Sequence, residues 1–239
     1  MKREYHKWFS PALQREMELL VFGSGGTRAL VFPTSLGRFY QWEDFGMLEP
    51  LRSRLEGGAI QLFCVDSVDA ESWYAKWRPP SERVGRHVEY DRYLLEEVVP
   101  FTAKSNPTSA LITTGASFGA FHAVNFAFRY PKLVTRVLGM SGLYDVRSFA
   151  AGASGDMLYF NNPSDYLANE HDRERLDALR RIDITLVIGR EDPSCANNEY
   201  FSGVLWSKDV WHALRIWDGW AHDWPYWKQM VSHYIDGHD

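Results

Sequence analysis

Cysteine is nearly missing from this 239-residue chain: only Cys64 and Cys195 occur, too few and too far apart for a disulfide framework. Neither has a second Cys or a His at metal-ligand spacing, so a reducing, cytoplasmic setting and a site without metal are expected. Excess positive charge is missing too. The 26 Lys and Arg face 31 Asp and Glu, a net charge of -5, which leaves no electrostatic footprint for nucleic acid. No run approaches the roughly 18 apolar residues of a membrane helix. Residues 1–9 mix charges with aromatics where a signal peptide would carry an uninterrupted apolar stretch, so neither export nor a membrane partner is expected. Internal repeats and low-complexity linkers are also lacking, and we read residues 1–239 as one domain.

Aromatic residues, by contrast, are plentiful, with Trp 10, Tyr 12 and Phe 14. They supply core, and leave rings for a flat-walled pocket or for a homo-oligomer interface. Short β-branched runs alternate with amphipathic stretches, which is the pattern of an α/β protein with a mostly parallel sheet and helices on both faces. Glu16 to Phe22 and Arg28 to Phe32, joined by Gly23-Ser24-Gly25-Gly26, read as an antiparallel hairpin. Trp42 to Leu55 has helical spacing, Ile60 to Val65 reads as a buried strand, and Asp66 to Ser81 as a loop. A helix is expected over Glu89 to Val99 and strands at Ala110 to Thr114, Val134 to Met140, Ile184 to Ile188 and Ala213 to Trp217. A last helix spans Trp224 to Ile235. The stretch 145–181, which contains Gly152, Gly155 and Asn161-Asn162-Pro163, has no strand signal and reads as a small cap inserted over the sheet.

Gly115-Ala116-Ser117-Phe118-Gly119 fits G-x-S-x-G, in which a strand turns sharply into a helix and presents a strained serine. The strand before it and the alanine-rich, aromatic helix after it are the context this motif requires. A serine nucleophile needs a histidine base, and the base needs a carboxylate that fixes its tautomer. Among the eight histidines, His122 lies in the helix after the turn, His212 at the start of the last strand and His233 in the last helix. His6, His87, His171 and His238 belong to tails or solvated stretches. His222 alone follows the last strand on a loop, and it is the candidate base. Asp192, in Gly189-Arg190-Glu191-Asp192-Pro193 after a strand, is the candidate acid, with Asp145 and Glu191 as alternatives; Asp223 is better placed to cap the final helix. The oxyanion of attack needs two backbone N–H donors, one from Phe118 and one from the loop Pro33-Thr34-Ser35-Leu36-Gly37. In that loop Ser35 leads and Thr34 is next.

The serine turn 115–119 and the acid loop 189–193, together with Ala-His-Asp-Trp-Pro-Tyr-Trp at 221–227 and Phe-Pro-Thr-Ser-Leu-Gly-Arg-Phe-Tyr-Gln-Trp at 32–42, resemble the putative-esterase branch of the α/β-hydrolases. That branch includes S-formylglutathione hydrolases (esterase D), feruloyl and enterochelin esterases, and antigen 85-like mycolyltransferases. The resemblance runs from about Leu19 to Tyr234. It implies the α/β-hydrolase fold, Ser117 as nucleophile, Asp192 as acid, His222 as base, and Ser35 and Phe118 as oxyanion donors. Two departures stand out: Pro33-Thr34 replaces the His-Gly usual after the oxyanion strand, and Ala120 replaces a glycine that often follows the serine turn.

The sequence is therefore read as a cofactor-free serine esterase for a small-molecule carboxylic ester or thioester of small to medium acyl size. An acyltransferase, a peptidase and a non-catalytic binding protein on the same fold are the alternatives. Trp42, Trp220 and Trp224 are expected to wall an aromatic pocket that offers no charged anchor to an acidic substrate.

Overall fold

In a computed structural model, which describes residues 1–150 and 154–237, eight strands form one sheet in the order β1-β2-β4-β3-β5-β6-β7-β8. They are β1 (Arg3–Ser10), β2 (Arg15–Phe22), β3 (Thr27–Phe32), β4 (Ile60–Val65), β5 (Leu111–Ala116), β6 (Arg136–Met140), β7 (Asp183–Gly189) and β8 (Ala213–Trp217). From β4 to β8 in that order, every neighbouring pair is parallel. The helices are α1 (Gln41–Asp44), α2 (Arg52–Glu56), α3 (Pro80–Tyr93), α4 (Val99–Ser105), α5 (Phe118–Arg129), α6 (Asp156–Tyr159), α7 (Pro163–Ala168), α8 (Arg173–Leu179), α9 (Cys195–Ser207) and α10 (Trp224–Tyr234). Helices cover both faces: one core cluster gathers residues of α3, α5, α7, α8 and α9, and another gathers residues of α1, α2 and α10. Every residue of α5 from Phe118 to Phe128 is buried, as expected of a helix that is apolar all round and enclosed on every side. Among the described residues no helix is long and apolar enough to cross a membrane.

Three expectations are corrected. β2 and β3 are not a hairpin, because β4 lies between them, antiparallel to β2 and parallel to β3. Four residues can reach across two strand spacings of roughly 5 Å each, so the alternating pattern alone cannot exclude an intervening strand. The glycines serve that crossing. Gly23 and Gly26 have φ of 89° and 81°, and a Cβ on Gly26 would come within 2.2 Å of the Ala59 backbone. The hairpin partner of β2 is instead β1, in the segment read as a tail. The second correction concerns the helix expected over 42–55. It is broken into α1, a 3-10 turn at Glu49–Leu51 and α2. The third is His87, which is buried in α3 rather than solvated. Between β6 and β7 lie a 3-10 turn (Arg147–Ala150) and α6 to α8. Gly152 in this stretch and His238 at the tail fall outside the described residues.

Candidate active site

The carboxyl ends of the parallel strands carry the candidate residues, as open α/β sheets place their sites. Ser117 stands between β5 and α5 with φ 55° and ψ −124°. Only close approach of the flanking backbones allows this turn: a Cβ on Gly115 would meet the Gly119 carbonyl at 2.4 Å. One on Gly119 would meet the Pro33 oxygen, also at 2.4 Å. Both motif glycines are therefore steric requirements, and Gly119 lets α5 start directly against the end of β3. Ala120 meets no such demand, since its methyl is fully buried without loss of the turn.

His222 follows β8 and joins two groups. Its Nε2 lies 3.1 Å from Ser117 Oγ and its Nδ1 2.6 Å from Asp192 Oδ2. Asp192 sits on the loop after β7 with its side chain only 1 % exposed, and its other oxygen accepts the Ser194 N–H at 2.8 Å. A buried carboxylate that accepts these two bonds orients the ring with Nδ1 protonated, which leaves Nε2 as the acceptor toward serine. From behind, Trp227 meets the His222 ring edge-on at 5.4 Å; its Nε1 donates to Ser141 Oγ at 3.0 Å, and Ser141 Oγ in turn donates to the Ala221 carbonyl at 2.9 Å. The other acids lie elsewhere. Asp145 pairs with Arg147 and accepts from Asn162, Glu191 is exposed, and Asp223 caps α10 through the Trp224 N–H.

The loop after β3 is held from four sides. Gln41 Oε1 accepts the Thr34 N–H and Gln41 Nε2 donates to Thr34 Oγ1, both at 2.8 Å. Asp69 Oδ2 accepts the Leu36 N–H, its other oxygen bonds His122 Nε2, and Ser67 Oγ donates to the Gly37 carbonyl. Tyr74 OH donates to Ser35 Oγ at 2.6 Å. With Thr34 committed to Gln41, the Ser35 N–H is the donor of this loop that has no acceptor among the described residues. The Phe118 N–H, at the first position of α5, has no acceptor within the helix either.

The expected aromatic wall is redistributed. Trp220 is 50 % exposed and stacks on His222 at 5.6 Å, so it borders the site. Trp42 does not: at 1 % exposure it is core, among Leu20, Met47 and Leu51, because α1 turns its ring under the sheet. Trp224 stacks on Phe45 at 4.2 Å and meets Trp227 edge-on, which makes it a buttress of α10. Besides its α5 neighbours Phe121 and His122, Phe118 meets the rings of Tyr74 and Phe149, at 5.3 and 5.0 Å, and Tyr74 and Phe149 are also part of a cavity wall. With Trp73, Lys76, Arg83 and Ser148 they line a cavity of about 560 Å³. Sequence reasoning missed them: Trp73, Tyr74 and Lys76 come from the loop after β4, Arg83 from α3, and Ser148 and Phe149 from the turn after β6, so only the fold brings them together. A further cavity of about 370 Å³ lies around Arg129 and Arg175, at the opposite end of α5 from Ser117. Among the described residues no cluster of His, Cys, Asp and Glu has the makings of a metal site. Cys195 begins α9 beside the acid loop, and burial pushes its thiol pKa up, away from nucleophile character.

No curated protein matches the sequence. Among solved structures the chain is similar to a ferulic acid esterase (TM-score 0.78, 17 % identity, 97 % of this chain and 95 % of that one). It is also similar to an S-formylglutathione hydrolase from Agrobacterium tumefaciens (0.76, 13 %, 98 % and 93 %) and to MPT51 from Mycobacterium tuberculosis (0.73, 15 %, 97 % and 96 %). At these identities the likeness fixes the α/β-hydrolase fold. The family model described as "Putative esterase" matches residues 49–232, most of the chain. The chain thus belongs to the esterase family of α/β-hydrolases and is a carboxylic ester hydrolase.

Proposed function

We propose that the chain is a serine esterase that works through an acyl-enzyme on Ser117. The observation that carries this reading is the hydrogen-bonded line from Asp192 through His222 to Ser117 Oγ, with the Phe118 and Ser35 N–H groups without acceptors among the described residues. In the first half-reaction His222 Nε2 takes the Ser117 proton while Oγ bonds the substrate carbonyl carbon. Negative charge collects on the carbonyl oxygen, where the Phe118 and Ser35 N–H groups are positioned to receive it. Asp192 balances the imidazolium. Collapse of the tetrahedral species breaks the bond to the alcohol oxygen, which leaves with the proton from His222. Water then takes the alcohol's place: it gives a proton to His222 as it attacks the acyl carbon, and collapse breaks the bond to Ser117 Oγ, which takes that proton from His222 as the acid leaves.

The rings around Phe118 favour a short, medium or flat acyl group. Past that size, each added methylene that meets a fixed ring is expected to cost on the order of 1 kcal/mol of transition-state binding. A p-nitrophenyl ester series from acetate to dodecanoate, run beside Ser117→Ala, tests both statements. Expected are turnover that depends on Ser117 and kcat/KM that falls beyond medium length. Activity retained in Ser117→Ala would overturn the mechanism, and a rate that climbs through dodecanoate would overturn the size limit.

A further inference from the structure

The cavity beside Phe118 holds a cation for which acyl transfer has no use. Arg83 enters it from the first turn of α3 and is only 4 % exposed. Its Nη1 donates to two neutral acceptors, the backbone carbonyls of Trp73 at 3.3 Å and Phe149 at 2.7 Å. Its Nε–H is buried with no acceptor, and no carboxylate pairs with the guanidinium among the described residues. Burial of a charged group in this state is unfavourable unless an anion completes it. The arginines of the cavity at the other end of α5 are satisfied differently, Arg129 by Asp91 at 3.2 Å and Arg175 by Glu170 at 2.8 Å. Arg28, also buried without a carboxylate, donates to Thr102 near the start of β3, away from Ser117.

The rest of the lining has the same sign. Lys76 stands at the exposed rim with no ion-pair partner among the described residues, Ser148 adds a hydroxyl, and no acidic side chain lines the cavity. Trp73, Tyr74 and Phe149 supply flat walls. Tyr74 touches both sides of the proposed chemistry, through its bond to Ser35 in the oxyanion loop and its ring contact with Phe118.

We infer that this cavity receives a carboxylate, so that the preferred substrate is an anionic ester: a short or flat acid or alcohol portion with a free carboxylate held by Arg83, with Lys76 at the rim. The inference rests on the reading of Ser117 as nucleophile, and it replaces the expectation of a pocket without a charged anchor. A guanidinium fits here because its planar fork can keep the two backbone acceptors on one nitrogen and offer the remaining N–H groups to an anion.

The test compares kcat/KM for matched charged and neutral esters. Mono-p-nitrophenyl adipate against its methyl ester places the carboxylate on the acyl side. 4-Acetoxybenzoate against methyl 4-acetoxybenzoate places it on the alcohol side. One of the two pairs is expected to favour the charged member by at least about tenfold, mostly through KM, the scale of one charge-assisted hydrogen bond. In Arg83→Gln, whose amide can still donate to the Trp73 and Phe149 carbonyls, that ratio should fall to near one. In Lys76→Gln, a change at an exposed position that keeps the fold, it should fall part of the way. Equal rates on charged and neutral esters in the wild type would overturn the inference, as would a ratio unchanged in both variants or an Arg83→Gln loss that strikes both esters alike. A failure of the nucleophile reading looks different: hydrolysis of all four esters would then persist in Ser117→Ala.

Discussion

At the residue scale, the positions with sharp local signals were legible, and those whose role depends on packing were not. Ser117 is marked by two glycines whose absent side chains the turn demands, Asp192 by a proline that turns the chain after β7, and His222 by its place after the last strand. Nothing in the order of residues, however, tells a ring in a cleft from a ring in a core. Trp42, on α1, is enclosed in the core, whereas Tyr74, on the loop after β4, stays half-buried at a cavity. Ser117→Ala is expected to abolish ester turnover and leave the melting temperature nearly unchanged, since among the described residues the hydroxyl bonds only His222. Asp192→Asn should keep the fold and lower kcat by ~10³–10⁴-fold, because a neutral amide admits the wrong imidazole tautomer. If Asp145→Asn proved the damaging change instead, the acid assignment would fail. Trp42→Ala separates core from pocket. A loss of about 3–5 kcal/mol in denaturant unfolding is expected, as for other buried tryptophans, with KM for short esters unaltered; a raised KM in a stable variant would return Trp42 to the pocket.

At the element scale, periodicity located β4 to β8, α5 and α10 within a few residues, because buried parallel strands and an enclosed helix leave long apolar runs. The edge was harder. Alternation in 16–22 and 28–32 shows two strands but not what lies between them, and β1 alternates exposed and half-buried positions too weakly to stand out among its charges. The loop proposed to supply an oxyanion donor has the same character: which of its N–H groups is left open depends on which is already bonded, a tertiary fact. Gln41 makes that choice by engaging Thr34 on both backbone and side chain. Gln41→Ala should release the loop and lower kcat by about tenfold or more, with little change in KM, since removal of one oxyanion donor outright costs ~10²–10³-fold. Steady-state kinetics on one short ester decides it, and an unchanged kcat would mean that Asp69 and Tyr74 hold the loop without help.

At the scale of the whole molecule, stability should depend on acid through the polar side chains enclosed between α3 and α5. His87 is buried, takes the Asn125 amide on Nε2 at 3.3 Å, and has no partner for Nδ1 among the described residues. Burial, with His122 and Arg129 adding like charge, holds its pKa well below the usual histidine value. The folded protein therefore binds fewer protons here than the unfolded chain, so stability is lost as pH falls below the free-histidine pKa of about 6.5. Thermal unfolding followed from pH 7.5 to 5 should show a falling melting temperature, with a shallower slope in His87→Asn; an equal slope would place the acid sensitivity elsewhere. The most direct test of the central claim is a fluorophosphonate probe followed by peptide mapping of the adduct. The account predicts one labelled serine, Ser117, with labelling slowed strongly in His222→Ala and absent in Ser117→Ala. A stable adduct on any other serine, or ester turnover by a protein that the probe never labels, would contradict it.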